Sequence, residues 1–330
     1  MTGPAELLYN RLTKRYRHLK KWARRTGTSA YRIYDREIPE IPLVLDLYCD
    51  SNSGSAISGA QYRVFHNAES DEHNAAEEEI WIKTMKESIS KAIEVPEEQI
   101  FLKQRFRMKN RQETGAQYNR ITTRNIYRDV WEGDLVFRVN LSDYLDTGLF
   151  LDARKKRNHI RTIASGKKFL NLFAYTSTLS VAAAKGGAAQ VDSVDLSNTY
   201  LEWGKVNFSL NKLEIGSRFT FIRSDVIRFM AEASTNKSRW DEIILDPPSF
   251  SNSKKMRGTL DIRRDYKGLI RHGLSLLNPG GTLWFSSNAR SFNLRQEDFQ
   301  GCLITDMTPD FTDEDFRAKQ MPGNYKITLL

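Results

Sequence analysis

The rhythm of hydrophobic and polar positions changes near residue 168. Beyond it, short apolar runs at 168–173, 190–194, 219–222, 242–245 and 282–286 alternate with amphipathic segments at 178–186, 200–210, 226–233 and 266–277. Strands buried on both faces read as near-continuous apolar runs, and the segments that cross between them read as helices. This half is therefore expected to be an α/β domain with a parallel, doubly wound sheet and short single crossovers. Two more runs, 303–307 and 325–329, predict an antiparallel pair at the sheet edge.

Upstream the pattern is mixed. Leu8, Leu12, Leu19 and Trp22, with Tyr16 among them, fall close to helical spacing in a basic segment and predict an amphipathic helix. Strands are expected at 31–34, 43–48, 61–65 and 135–141, with a Ser/Gly-rich turn at 54–59. A helix is expected over 73–94, ending before Pro96, and a basic helix over 154–164. The run 100–108 reads as a strand with Phe101, Lys103, Arg105 and Arg107 on one side. The expected division is a basic N-terminal helical arm (1–37), a smaller α+β RNA-binding domain (38–146) and a larger α/β domain (147–330).

Length and composition support two domains: 330 residues, 40% of them hydrophobic, suffice for ordinary buried cores. No window is long and apolar enough to span a membrane, and the first thirty residues are basic and polar. A cytoplasmic protein without a membrane partner is expected. Cys49 and Cys302 are the two cysteines, far apart and outside any metal-ligand spacing, so neither a disulfide framework nor a metal site is expected.

Charge sharpens this picture because it is concentrated. The net charge is +9, yet residues 1–36 carry ten Lys/Arg against two acids, 103–128 eight against one, and 153–168 seven against none, leaving the remainder at −13. Three such runs, interleaved with Tyr, Phe and Asn, suit a surface that tracks a phosphate backbone. Solvated helix faces and a membrane-surface helix are the competing readings. Arg11, Lys14, Arg15, Lys103, Arg105, Arg107, Lys109, Arg111, Lys254 and Lys255 are the candidate RNA-binding residues.

In a doubly wound sheet, ligands bind beyond the carboxyl ends of the strands. Those ends read Asn171-Leu172-Phe173-Ala174-Tyr175-Thr176-Ser177, Val194-Asp195-Leu196-Ser197, Ser224-Asp225-Val226 and Asp246-Pro247-Pro248-Ser249-Phe250. Asp195 lies about twenty residues past the first strand, where a carboxylate takes ribose hydroxyls, and Asp225 can accept from an exocyclic amine. Both also precede helices, where an Asp can serve as a cap. A Gly-x-Gly-x-x-Gly pyrophosphate seat is missing, which favours an adenosine cofactor without phosphates, S-adenosylmethionine. The two prolines after Asp246 remove amide donors and hold an extended turn, while Phe250 can stack on a planar ring.

Asp-Pro-Pro-Ser-Phe-Ser-Asn-Ser-Lys (246–254), Phe-Leu-Asn-Leu-Phe-Ala-Tyr-Thr (169–176), Val-Asp-Leu-Ser-Asn-Thr-Tyr-Leu-Glu-Trp (194–203) and Thr-Gly-Leu-Phe-Leu-Asp-Ala-Arg (147–154) together resemble the K-type 23S rRNA guanine-N7 methyltransferases, from about residue 7 to the C-terminus. In many bacteria that enzyme is the C-terminal half of a longer bifunctional protein. The resemblance implies a class I, Rossmann-like methyltransferase fold, S-adenosylmethionine as donor, and large-subunit rRNA or its precursor as partner. It also raises a separate guanine-N2 methyltransferase as a partner supplying the activity of the fused half. No feature of the sequence sets an oligomeric state. By matching position Phe150, Asp152, Arg154, Asn171, Phe173, Ala174, Tyr175, Thr176, Asp195, Leu196, Ser197, Asp225, Val226 and Asp246 fall at the cofactor. One departure is Ser177, where the family usually has a small residue, often Gly.

Chemistry narrows the target atom. Cytosine C5 needs a thiolate to add to the ring first, and the segment after the fifth strand, Phe285-Ser286-Ser287-Asn288-Ala289-Arg290, has no Cys. Guanine N7 carries a free lone pair and needs positioning alone. The expected machinery is Asp246, Pro247, Pro248, Phe250 and Asn288: Asp246 accepts from the base, Phe250 covers it, and Asn288 or Lys254 engages O6. Methylation of an exocyclic amine or of cytosine C5, and a non-catalytic RNA-binding assembly factor, are the alternatives.

Overall fold

The computed structural model describes residues 3–49, 60–66, 75–106, 120–251, 259–289, 292–317 and 321–330. Two compact units emerge, Met1–Thr147 and Gly148–Leu330. In the first, α1 (Pro4–Thr26) starts on a proline, whose missing amide costs nothing in a first turn. It ends at Gly27, whose φ of 66° supplies the left-handed cap and returns its amide to the Ala23 carbonyl. β1 (Ala30–Asp35) and β2 (Leu43–Tyr48) pair antiparallel, as do β2 and β3 (Ala60–His66). α2 (Ala75–Ile93) then crosses over, so that β4 (Ile100–Phe106) lies parallel to β3.

Leu8, Leu12, Tyr16, Leu19 and Trp22 of α1 share one core with Ile33, Leu45, Ile89 and Ile93. Burying side chains of this size stabilises the unit by about 1.5–3 kcal/mol each. The helix of the expected N-terminal arm, Pro4–Thr26, therefore packs into this unit's core and is not separate from it. The same apolar stripe that predicted the helix is what ties it down.

A hairpin of β5 (Tyr127–Glu132) and β6 (Leu135–Asn140) completes the unit around a Gly133-Asp134 turn. β5 escaped the pattern reading because its one fully buried apolar residue is Val130, with Tyr127 and Trp131 exposed. Beside the hairpin, Asp143 accepts from Ser142 Oγ at 2.5 Å, Arg120 Nη2 at 2.6 Å, the Asn125 amide at 3.0 Å and Thr122 Oγ1 at 3.1 Å. Burial alone would raise this carboxyl, but these donors outweigh it and hold it well below the usual carboxylate range.

In the second unit, α3 (Arg154–Ile163) leads into β7 (Lys168–Leu172), α4 (Thr178–Lys185), β8 (Gln190–Asp195), α5 (Asn198–Leu210), β9 (Phe219–Arg223), α6 (Val226–Thr235) and β10 (Trp240–Leu245). A two-residue pair, β11 (Phe250–Ser251) with β12 (Leu260–Asp261), precedes α7 (Ile262–Ser275) and β13 (Leu277–Ser287). β14 (Cys302–Asp306), α8 (Thr308–Phe311) and β15 (Gly323–Leu329) close the chain. The seven-stranded sheet runs β14-β15-β13-β10-β7-β8-β9. Neighbours from β13 to β9 are parallel, and β15 is antiparallel to both β13 and β14, as the tail pattern predicted. The order reverses beside β7, because β7 is followed on one side by β8 and on the other by β10, and that is where ligands bind in such sheets. Leu172, Val194, Leu245 and Phe285 align across four strands and set a common edge. No helix among the described residues is long and apolar enough to cross a membrane.

Candidate active site

Everything just past that edge is held by hydrogen bonds between adjacent strand ends. Beyond β7 the chain takes left-handed φ values at Phe173 (59°), Tyr175 (50°) and Ser177 (57°), an unfavourable sequence of conformations for residues with side chains. The loop is over-determined by its partners. The Ala174 amide donates to the Val194 carbonyl at 3.0 Å, the Tyr175 amide to Asp195 Oδ2 at 2.9 Å, and Thr176 Oγ1 to the Gly148 carbonyl at 2.6 Å. Asn207 Nδ2, fully buried on α5, donates to the Thr176 carbonyl at 2.9 Å. Gly148 is a glycine of necessity: with φ at 93°, a Cβ there would lie 2.3 Å from the Trp203 ring.

Asp195 is the hub of this loop. Its other oxygen accepts from the Ser197 amide at 2.8 Å, and its carbonyl takes the Ser224 amide at 3.1 Å, tying β8 to the end of β9. Burial pushes its carboxyl up, and the amides of Ser197, Tyr175 and Leu196 offset only part of that. A buried carboxylate with spare lone pairs suits the hydroxyl donors of a ribose. Asp225 caps α6, accepting from the Arg228 amide at 3.0 Å, and Val226 beside it is core. Ser197 caps α5 through the Tyr200 amide. Thus capping residues occupy the strand-end positions expected at the cofactor. Phe150 is 41% exposed and tilts against Tyr175 at 5.2 Å, which in turn meets Tyr200 edge-on at 4.5 Å, presenting an aromatic wall beside the loop.

Beyond β10, Pro247 is buried and Pro248 half-buried, and half-buried Phe250 is fixed by the β11–β12 pair. Asp246 Oδ1 accepts from Ser286 Oγ on the neighbouring β13 at 2.6 Å, and Ser286 Oγ accepts from Lys156 Nζ at 2.9 Å. Asn288 is exposed one residue past the end of β13. The sequence pattern pointed to neither Ser286 nor Lys156. Lys156 lay inside a basic run that reads as outward-facing, and the one signal for Ser286 was its place at a strand end.

Two expected cofactor contacts are otherwise engaged. Arg154 is buried and donates to Asp313 and Asp315, each at 2.9 Å, pinning the segment before β15. Asn171 is 2% exposed inside β7 and donates to Ser180 Oγ of α4 at 2.9 Å, beneath the loop. Asp152 is half-buried near Lys156. The third basic run is also partly internal: Arg157, 1% exposed, donates to the Phe150 carbonyl at 2.9 Å.

The candidate RNA-binding residues separate likewise. Lys103 is buried and donates to the Tyr144 carbonyl, so it does not face an open surface. Arg11 pairs with Glu37, and Arg15 Nε reaches the Ile33 carbonyl at 3.5 Å. Lys14 is exposed and shares one shallow groove on the outer face of α1 with Asn10, Thr13, Arg17, His18 and Lys21. Arg17 and Lys21 thus join Lys14 at helical spacing, a stripe that the positions 14, 17, 18 and 21 already spelled out. The Arg105 side chain lies outside the description, as do Arg107, Lys109, Arg111, Lys254 and Lys255.

Comparison with known proteins fits this geometry. The family model for S-adenosylmethionine-dependent methyltransferases matches residues 89–295. The chain is 42% identical over 318 residues to ribosomal RNA large subunit methyltransferase K of Neisseria meningitidis serogroup B, covering 96% of this chain and 86% of that protein. It is 41% identical to ribosomal RNA large subunit methyltransferase K/L of Allochromatium vinosum, where it covers 94% of itself but spans 41% of that longer protein. Among solved structures it is similar in fold to a methyltransferase complexed with SAH, with TM-score 0.72 and 22% identity over 99% of this chain and 82% of the other. The residues present suit such a donor: two strand-end carboxylates for its hydroxyl and amine groups, an aromatic wall, and no pyrophosphate seat.

Ser177 explains one more feature. It is fully buried in the left-handed region with no partner for Oγ, and a Cβ at Gly204 of α5 would approach that oxygen to 2.6 Å and the Phe221 ring to 3.0 Å. Gly204→Ala is expected to destabilise the protein by about 1–3 kcal/mol. Adding Ser177→Gly, which tolerates the same φ, should recover at least half of the loss. Denaturant unfolding of the two single variants and the double variant reads this, and additive losses would refute the contact.

Proposed function

Because the chain belongs to the S-adenosylmethionine-dependent methyltransferases, in the family of the ribosomal RNA large subunit methyltransferases K and K/L, we propose that it methylates N7 of a guanine in large-subunit rRNA by direct transfer. S-adenosylmethionine is its cofactor. The observation that carries the N7 reading is the Asp246 carboxylate at the end of β10, held by Ser286, with Phe250 close behind in the chain and no thiol at that edge. Cys302 begins β14 opposite Leu329, next to Thr328, which pairs with Thr282 of β13, and so lies towards the other end of the sheet from Asp246, which follows the Leu245–Phe285 pair. Burial also pushes its thiol up, away from the thiolate that C5 chemistry requires.

When bound, the donor supplies an electrophilic methyl group, whose bond to sulfur breaks with its electron pair going to sulfur as the N7 lone pair closes the new carbon–nitrogen bond. The chain's own residues then have three tasks. Asp246 accepts from the guanine N1–H or amino group, orienting the base and favouring the positive charge it acquires. Phe250 covers the ring face, and Asn288 is a donor within the same strand-end region for O6. No proton has to leave, so no general base is needed. In the first unit, Lys14, Arg17, His18 and Lys21 along α1 form a surface suited to RNA phosphates.

Mass spectrometry of nucleosides from unmethylated large-subunit rRNA, treated with the protein and S-adenosylmethionine, should show 7-methylguanosine. Asp246→Asn should lower turnover about 100-fold. N2-methylguanosine or a methylated adenine would overturn the N7 reading, and no transfer with wild-type protein would favour an RNA-binding factor. Replacing Lys14, Arg17 and Lys21 with Ala should reduce the slope of log affinity for rRNA against log salt by about 2. An unchanged slope would remove α1 from the RNA interface.

A further inference from the structure

The second unit buries three cations on one short helix, α3: Arg154, Lys156 and Arg157, exposed by 8%, 3% and 1%. Placing a charge inside a protein is costly unless it is paired. Arg154 has Asp313 and Asp315, and Arg157 has the Phe150 carbonyl. Lys156 is different, because its recorded hydrogen bond goes to a hydroxyl, Ser286 Oγ at 2.9 Å, and that hydroxyl lies 2.6 Å from Asp246 Oδ1. Burial lowers the basicity of this amine, and the charges of Asp246 and Asp152 offset only part of that.

Hydrogen counting gives this chain a direction. An ammonium has three donors and no lone pair, so it can only donate to Ser286. Ser286 has one hydroxyl proton, and with its lone pair engaged by Lys156 that proton goes to Asp246. A neutral amine could accept from Ser286 instead and withdraw the proton from the carboxylate. The donor order from Lys156 to Ser286 to Asp246 sets the polarity of the relay, and a carboxylate with one oxygen fixed from the protein side turns its other oxygen to a defined position.

Resting on the methyltransferase reading above, we propose that Lys156 is a positioning residue for the transfer: through Ser286 it fixes the orientation in which Asp246 receives the target base. Lys156 itself touches neither base nor methyl donor. Its substitution should thus impair turnover while sparing donor binding, which a general loss of structure would not do.

The test compares Lys156→Met, Ser286→Ala and the double variant as full chains. Each single variant should lose about 10- to 100-fold in kcat on large-subunit rRNA, with the calorimetric Kd for S-adenosylmethionine within twofold of wild type. The double variant should be no worse than the poorer single one, because both break one path. Wild-type kcat in either single variant, or multiplied losses in the double, would overturn the proposal. If Lys156→Met fails to fold, Ser286→Ala alone carries the same expectation. A second readout is independent of turnover: the side-chain 15N resonance of Lys156 should shift in both Ser286→Ala and Asp246→Asn. An unmoved resonance refutes the relay even if rRNA is methylated, whereas a shifted resonance with no wild-type turnover refutes the rRNA reading and leaves the relay standing.

Discussion

Backbone hydrogen bonds that keep β7, β8, β9, β10 and β13 in parallel register decide where every reacting group of this protein can be. Because Leu172, Val194, Leu245 and Phe285 are level, the residues that follow them emerge along one line. A shift of one residue in any pair would move a strand-end carboxylate out of this line. The side-chain bonds past the edge depend on the same register: Tyr175 reaches Asp195 across β7 and β8, and Ser286 reaches Asp246 across β13 and β10. The loop with three left-handed residues is affordable only because those cross-strand bonds hold it.

Burial of charge is the second constraint, and it divides the basic residues by role. Those on the outer face of α1 lie in water and suit a polyanion, whereas Arg154, Lys156 and Arg157 of α3 are turned into the protein and organise it. Arg154 secures the chain before β15, Arg157 holds the carbonyl of Phe150, and Lys156 donates to Ser286, which donates in turn to the Asp246 carboxylate. A helix that opens with four basic residues thus turns three of them to structural use.

Much of this was legible in the residue pattern. Alternating apolar runs gave the doubly wound sheet and its antiparallel tail, since strand burial is a repeating, local signal. The acids after the strands marked the site edge, because in this topology position along the chain translates directly into position on the edge. Orientation was not legible. Lys103, Arg154 and Lys156 look in sequence like Lys14, and only the packing around them shows that they are buried. β5 lacked periodicity because its partner β6 supplies most of the hairpin's buried apolar residues. Likewise the serine at 177 makes sense only beside Gly204, 27 positions away.

In the proposed reaction Asp246 is an orienting acceptor for a guanine whose ring nitrogen N7 is the nucleophile, with neither thiolate nor base assisting. Labelled methyl transfer to a large-subunit rRNA transcript in which 7-deazaguanosine replaces guanosine isolates that atom, since the exocyclic amine and N1–H that Asp246 would contact are retained. The expected result is binding of the substituted RNA comparable to the natural transcript, with methyl incorporation abolished. Incorporation at the level of the natural transcript would contradict N7 as the acceptor and move the chemistry to an exocyclic amine or another base.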